Sequence, residues 1–131
     1  MGSVKRIDLK RNHWSDHRGW GVNPIDAAGL AGKPVYHFHT VSMKPGAVRG
    51  NHYHTDATEW LFVCGGPAKV VWRSDQTGPC HEVLVKKEEP ALFEIPPHIE
   101  HAVMNTSQVE IFLLSFSNAP DRDTTQSPSL F

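Results

Sequence analysis

The chain has 131 residues, with thirteen Lys and Arg against fourteen Asp and Glu and a formal net charge of -1. That length suits one domain with a core of its own, needing neither disulfides nor a structural metal, and the balanced charge excludes a basic footprint for nucleic acid or an anionic membrane. Hydrophobic residues make up 39%, no apolar run reaches the length of a membrane span, and two cysteines are too few for a disulfide scaffold. The opening MGSVKR runs into IDLK rather than an apolar stretch, so no signal peptide is expected. Reduced thiols then point to a cytoplasmic protein.

Helix signals are scarce along the chain. Only residues 25–30 suggest a helix, and Gly29 and Gly32 end it quickly. Strand signals are plentiful. VYHFHTVSM over 35–43 is β-branched and aromatic, without Gly or Pro. A short apolar run at 60–64 stops at Gly65-Gly66-Pro67. AKVVW at 68–72 follows and stops at the turn cluster SDQTGP over 74–79. Further strands are expected at 81–85, 91–95, 102–104 and 109–116. Short strands at regular spacing, cut by Gly and Pro turns, read as an all-β barrel or sandwich. The patterned region ends near 118, and residues 119–131 read as a polar tail or a strap on a partner.

The chain carries nine histidines. His52 and His54 flank Tyr53, so on a strand both imidazoles point to one face. Glu59 follows after TDAT has had room to turn, and His101 heads a strand just after Pro96-Pro97. Three imidazoles and a carboxylate meeting inside a barrel would suit a divalent first-row metal and leave positions open for substrate. A His-x-His pair alone is more often a surface or core pair. The spacing of all the elements together is what favours a site.

Gly46, His52-Tyr53-His54, Glu59 and Gly66 reproduce the first cupin motif, and PPHIEH over 96–101 with Asn105 resembles the second. Two turn positions depart from the pattern, Pro90 and His98, and they bear on loop geometry rather than on ligands. The resemblance implies a cupin double-stranded β-helix, a jelly-roll barrel forming a single domain over 1–118 with its N-terminal strand segment. It implies a homodimer, and metal ligands at His52, His54, Glu59 and His101 for one divalent ion such as Zn, Mn, Fe or Ni. More finely, RGNHYH over 49–54 resembles the C-terminal cupin domain of bifunctional capsular-polysaccharide enzymes. DHRGW over 16–20 is similar to a segment near the start of dTDP-sugar epimerases and ketoisomerases, and the late LLSFSN with Asp123-Thr124 is loosely similar to the same group.

That likeness implies an epimerase or ketoisomerase acting on a 4-keto nucleotide sugar. A base removes the acidic proton beside the ketone, and the proton returns on the other face or at another carbon. The metal would be the Lewis acid, and an imidazole not tied to it would be the base. In metal-free sugar isomerases of this kind a Gln often stands at the Glu59 position, so Glu59 tilts the reading toward a metal site. Arg49 and Arg18 are candidates for the diphosphate, since guanidinium offers phosphate a planar fork of donors. Solvated surface charge is the alternative for each. Tyr53 is a substrate-contact candidate, although alternation turns it away from the histidines, where packing or an interface is the simpler role. An iron-type dioxygenase and a non-catalytic small-ligand module are the competing functions.

His37 and His39 form a second same-face pair, expected on a dimer face or half-exposed sheet, with pocket lining the alternative. His13, His17 and His81 are expected to be exposed, and His98 to border the pocket mouth. Asn105 reads as a turn residue or as one that orients a ligand imidazole. Glu110 reads as a solvent-facing carboxylate, with an acid-base role the alternative. Trp60, Phe62, Trp72, Phe93, Phe112 and Phe116 are expected in the core. Cys64 reads as a buried thiol and Cys80 as an exposed one.

Overall fold

Alternating side chains and Gly/Pro turns yield twelve strands and one helical turn among the described residues of the computed structural model, which are 3–74, 77–120 and 123–131. The strands are β1 (Lys5–Ile7), β2 (His13–Asp16), β3 (Gly19–Val22), β4 (Tyr36–Met43), β5 (Val48–His54), β6 (Glu59–Cys64), β7 (Ala68–Arg73), β8 (His81–Val85), β9 (Ala91–Ile95), β10 (Glu100–Asn105), β11 (Ile111–Ser117) and β12 (Thr124–Gln126). The helical turn α1 (Pro24–Ala27) lies within two residues of the expected start. Asn23 caps it by accepting from the Asp26 amide at 3.2 Å, and the left-handed Gly29 follows its end. Asp75 and Gln76 of the expected turn cluster, and Asp121 and Arg122 of the tail, lie outside the described residues.

Two five-stranded antiparallel sheets form the body, ordered β1-β9-β6-β11-β4 and β12-β5-β10-β7-β8. Apart from the β7–β8 hairpin, the chain from β4 to β12 crosses from one sheet to the other at every connection. This winding is the all-β jelly roll of a cupin. A separate hairpin, β2–β3, stands beside it.

Burial follows the alternation on β6. Leu61 and Val63 turn inward to a core shared by both sheets with Met43, Val70, Phe93, Ile95, Val103 and Leu113. Trp60 and Phe62 turn outward, where Leu30, Phe116, Ile7, Val22 and Ile25 cover them. The N-terminal segment and α1 therefore seal one outer face, which is why β6 is apolar on both faces from Trp60 to Val63. Trp60, Phe62, Phe93 and Phe116 are buried as expected. Phe112 is not: it is 46% exposed, because it turns outward on β11 beyond that cover. Trp72 is half-buried and stacks on His81 at 5.8 Å. Cys64 is half-buried rather than buried, and Cys80 is exposed.

The segment expected as a polar tail also carries a strand. β12 pairs antiparallel with β5, opposing Thr124 to His54, Thr125 to Tyr53 and Gln126 to His52. It covers the outer edge of the His-x-His strand.

Candidate functional site

His52 and His54 lie on β5, Glu59 opens β6, and His101 is the second residue of β10. Across the β5–β10 ladder His101 opposes His52, and the next pair is Ala102 with Gly50. Asn51 is thus an extra residue on β5, a bulge with left-handed backbone at Asn51 (φ 56°) and Gly50 (φ 102°). A Cβ on Gly50 would stand 2.7 Å from the His101 carbonyl oxygen, so the bulge needs glycine there. The extra residue shifts the alternation by one. Arg49 consequently lines the same cavity as His52, where strict alternation would put the two on opposite faces.

That cavity measures about 400 Å³ and lies between the inner faces of the two sheets. His39, Arg49, His52, Glu59, His101 and Ser115 are its polar lining; Val41, Leu61, Val103 and Leu113 are among its apolar lining. His52, His54, Glu59 and His101 each offer one donor atom, all within 4.8 Å of one another. The ring centroids of His52 lie 5.0 Å from His54 and 4.8 Å from His101.

The hydrogen bonds set the tautomers. His101 Nδ1 donates to the Ile99 carbonyl at 2.9 Å, and His54 Nδ1 donates to the Asp123 carbonyl at 3.0 Å. A carbonyl only accepts, so each Nδ1 carries hydrogen. In the neutral rings Nε2 then bears a lone pair. Both Nε2 atoms face Glu59 Oε1, at 2.8 Å from His101 and 3.2 Å from His54. Two lone pairs and a carboxylate oxygen meeting in a buried space require a cation, either protons on the imidazoles or a metal ion among the donors. The donor set therefore fits a divalent transition metal.

Glu59 is buried, which opposes its ionisation, but hydrogen bonds from His101, His54 and Ser115 outweigh that penalty, and the charge of His101 adds to them. The carboxyl is held well below its ordinary value. Ser115 Oγ takes the second oxygen, Oε2, at 2.5 Å. Ser115 escaped the sequence reading. Its signal was a lone hydroxyl at an inward position of the apolar run IFLLSF.

Other candidates fall elsewhere. Arg18 is exposed in the β2–β3 hairpin, where Asp16 accepts from its Nε at 3.1 Å and its Nη2 at 2.5 Å. It lines a separate hollow with Trp14 and Trp20 rather than the central cavity. Tyr53 is half-buried and also outside the cavity lining. His39 and His37 part company, because β4 carries an extra residue opposite Ser115–Ser117 and His37 has a φ of 55°. His39 lines the cavity; His37 Nε2 donates to the Pro120 carbonyl at 2.7 Å. His98 is exposed and outside the cavity lining, its amide donating to the His54 carbonyl at 2.6 Å. Asn105 is a turn residue, donating to the Met43 and Val109 carbonyls and accepting from Ser107. Glu110 is exposed. Among the described residues no helix is long and apolar enough to cross a membrane.

The winding of the sheets and the placing of both motifs define a cupin. Within that class the profile of the polysaccharide biosynthesis C-terminal domain family matches residues 15–125, and the chain belongs to that family. Three solved structures show the same fold. One is the capsular polysaccharide assembling protein CapF of Staphylococcus aureus, 22% identical over 69% of this chain with a TM-score of 0.61. This chain spans 26% of that protein. A dTDP sugar isomerase of Desulfovibrio desulfuricans is 16% identical, with 95% of this chain and 83% of that one covered and a TM-score of 0.77. The 3,4-ketoisomerase QdtA of Thermoanaerobacterium thermosaccharolyticum, solved with TDP-4-keto-6-deoxyglucose, is 14% identical, with 95% and 87% covered and a TM-score of 0.70. No curated protein matches the chain.

Proposed function

We propose that the chain is a metal-binding cupin that epimerises or isomerises a 4-keto nucleotide sugar. The observation that carries this reading is the meeting of His52, His54, Glu59 and His101 in a cavity that Arg49 also lines. Those four side chains would hold one divalent ion of the Zn, Mn, Fe or Ni kind. When bound, such an ion supplies Lewis acidity toward a carbonyl oxygen. The names of the isomerase and ketoisomerase of the same fold support the substrate class.

The chain's own residues account for the rest. Arg49 is fixed by donation from Nε to the Ser42 carbonyl at 3.0 Å, which leaves its terminal nitrogens for phosphate oxygens. His39 is the imidazole in the cavity lining outside the four-donor set. Its Nδ1 donates to the His37 carbonyl at 2.6 Å, so in the neutral ring Nε2 bears the lone pair of a base. In this reading His39 takes the proton beside the ketone and returns it to a carbon of the enolate, leaving the substrate isomerised and the base restored. The partners are thus a small-molecule nucleotide sugar and, as the fold suggests, a second copy of the chain; the cytoplasm is the proposed setting.

The test is solvent exchange. Metal-loaded protein is incubated in D2O with a thymidine diphosphate 4-keto sugar and followed by proton NMR. Deuterium should enter beside the ketone, and His39→Gln should slow its entry by roughly 10²–10⁴-fold, the range for a general base. Absence of exchange in folded, metal-loaded protein would overturn the enzymatic reading.

A further inference from the structure

The two buried imidazoles that face Glu59 are oriented by different means. His101 takes its Nδ1 acceptor from Ile99, two residues away, just before its strand begins. His54 takes its acceptor from Asp123, 69 residues later in the chain. Thr124 Oγ1 lies 3.2 Å from the same nitrogen and shares its hydrogen, because the Asp123 carbonyl can only accept.

The segment that supplies these groups is anchored at several points. The Asp123 amide donates to Asp56 Oδ1 at 3.1 Å. β12 pairs with β5 from His54 to His52. The Ser127 amide donates to the Asn51 carbonyl at 2.8 Å, and the Leu130 amide donates to Asn51 Oδ1 at 2.9 Å. Asn51 is the bulge residue whose left-handed backbone also sets the spacing between Arg49 and His52. The bulge that shapes the site thus doubles as the anchor of the C-terminal segment.

We infer that residues 123–131 are a positioning element of the site: they strap β5 and fix His54 as the Nδ1–H tautomer, so that its Nε2 is presented to Glu59 and to a bound cation. Such outer partners of ligand imidazoles commonly change metal affinity 10–100-fold when removed. The inference rests on the metal-binding reading for its consequence, but not for the tautomer itself.

The test uses the full-length chain with the double substitution Asp56→Ala and Thr124→Val, and Thr124→Ser as the conservative control. Metal affinity is measured by competition with a chromogenic chelator. The His54 tautomer is read at pH 8 from imidazole 15N shifts in metal-free chains that also carry Glu59→Gln, whose amide can donate to the Nε2 lone pairs that the carboxylate would meet only with a proton. The double variant should lose about 10–100-fold in affinity, and its His54 should become a mixture of tautomers with little change in thermal midpoint. Thr124→Ser should keep both wild-type values. An unchanged tautomer and affinity in the double variant would overturn the inference and leave the metal reading standing. A wild-type chain that takes up no metal would overturn the metal reading, and the tautomer comparison would then decide the strap alone. A variant that loses thermal stability but keeps the tautomer would show β12 to be edge cover only, and would overturn the positioning role.

Discussion

Ser115 Oγ donates to Glu59 Oε2 at 2.5 Å from the neighbouring strand of the same sheet. This bond holds one carboxylate oxygen away from the histidines and leaves Oε1 to them. Ser115→Ala strands a buried carboxylate oxygen, at a cost of about 1–3 kcal/mol. Urea unfolding of metal-free protein at pH 7 should show that loss, and Ser115→Thr should recover part of it.

Glu59 gives the fold a pH dependence whose sign is fixed by its lowered folded-state pKa. The unfolded carboxyl titrates near its ordinary value of 4.5. Its contribution to stability is therefore full above that pH and is lost as pH falls from there through the folded value. The difference in urea midpoint between metal-free wild type and Glu59→Gln should narrow as pH falls below about 5. A gap that widens below that pH would contradict the hydrogen bonding around Glu59.

Gly50 and Gly46 both have positive φ, at 102° and 79°, but only Gly50 meets a wall. A Cβ at Gly50 would press on the His101 carbonyl, whereas one at Gly46 would meet nothing within 4 Å. Gly46→Ala should cost about 1–2 kcal/mol from backbone strain alone. Gly50→Ala should cost clearly more and open the β5–β10 ladder, visible as faster amide exchange at His101 and Ala102.

Phe112 and Phe116 lie four residues apart on β11 and differ completely in burial, at 46% and 0% exposure. Phe116→Ala should cost about 3–5 kcal/mol through the cavity it leaves beside Trp60. Phe112→Ser should stay within about 0.5 kcal/mol of wild type. Thermal unfolding of the pair checks whether the N-terminal cover stops where the structure puts it.

The two thiols should separate by reactivity. Burial raises the Cys64 thiol to about 11, so at pH 8 only about a thousandth of it is thiolate. Cys80 is exposed. A thiol reagent at pH 8 should label one cysteine per native chain quickly, with Cys64 following only on unfolding. Rapid labelling of both would place Cys64 at a mobile edge.

Much of this was legible in the one-dimensional pattern. Strands at 68–72, 81–85 and 91–95 could be read from β-branched runs between turns, because a half-buried strand must alternate and a turn must use Gly, Pro or Asx. The resemblance to the two cupin motifs singled out His52, His54, Glu59 and His101, and their donor atoms lie within 4.8 Å of one another. The reading erred where a single extra residue breaks the alternation. The bulge in β4 separates His37 from His39, whereas the bulge at Asn51 carries Arg49, already a diphosphate candidate, to the cavity that His52 lines. It also erred at Phe112, since periodicity tells inward from outward but not which outer face is covered.

The sequence by itself determined the all-β class, because that rests on local periodicity, and the resemblance to two short cupin motifs named the four candidate donors. Only the tertiary structure decided the company those donors keep. Ser115 reaches Glu59 across 56 residues and Asp123 reaches His54 across 69. Which distant carbonyl or hydroxyl meets an imidazole depends on strand register and on where a bulge shifts it, and a register exists only once the two sheets have closed on each other.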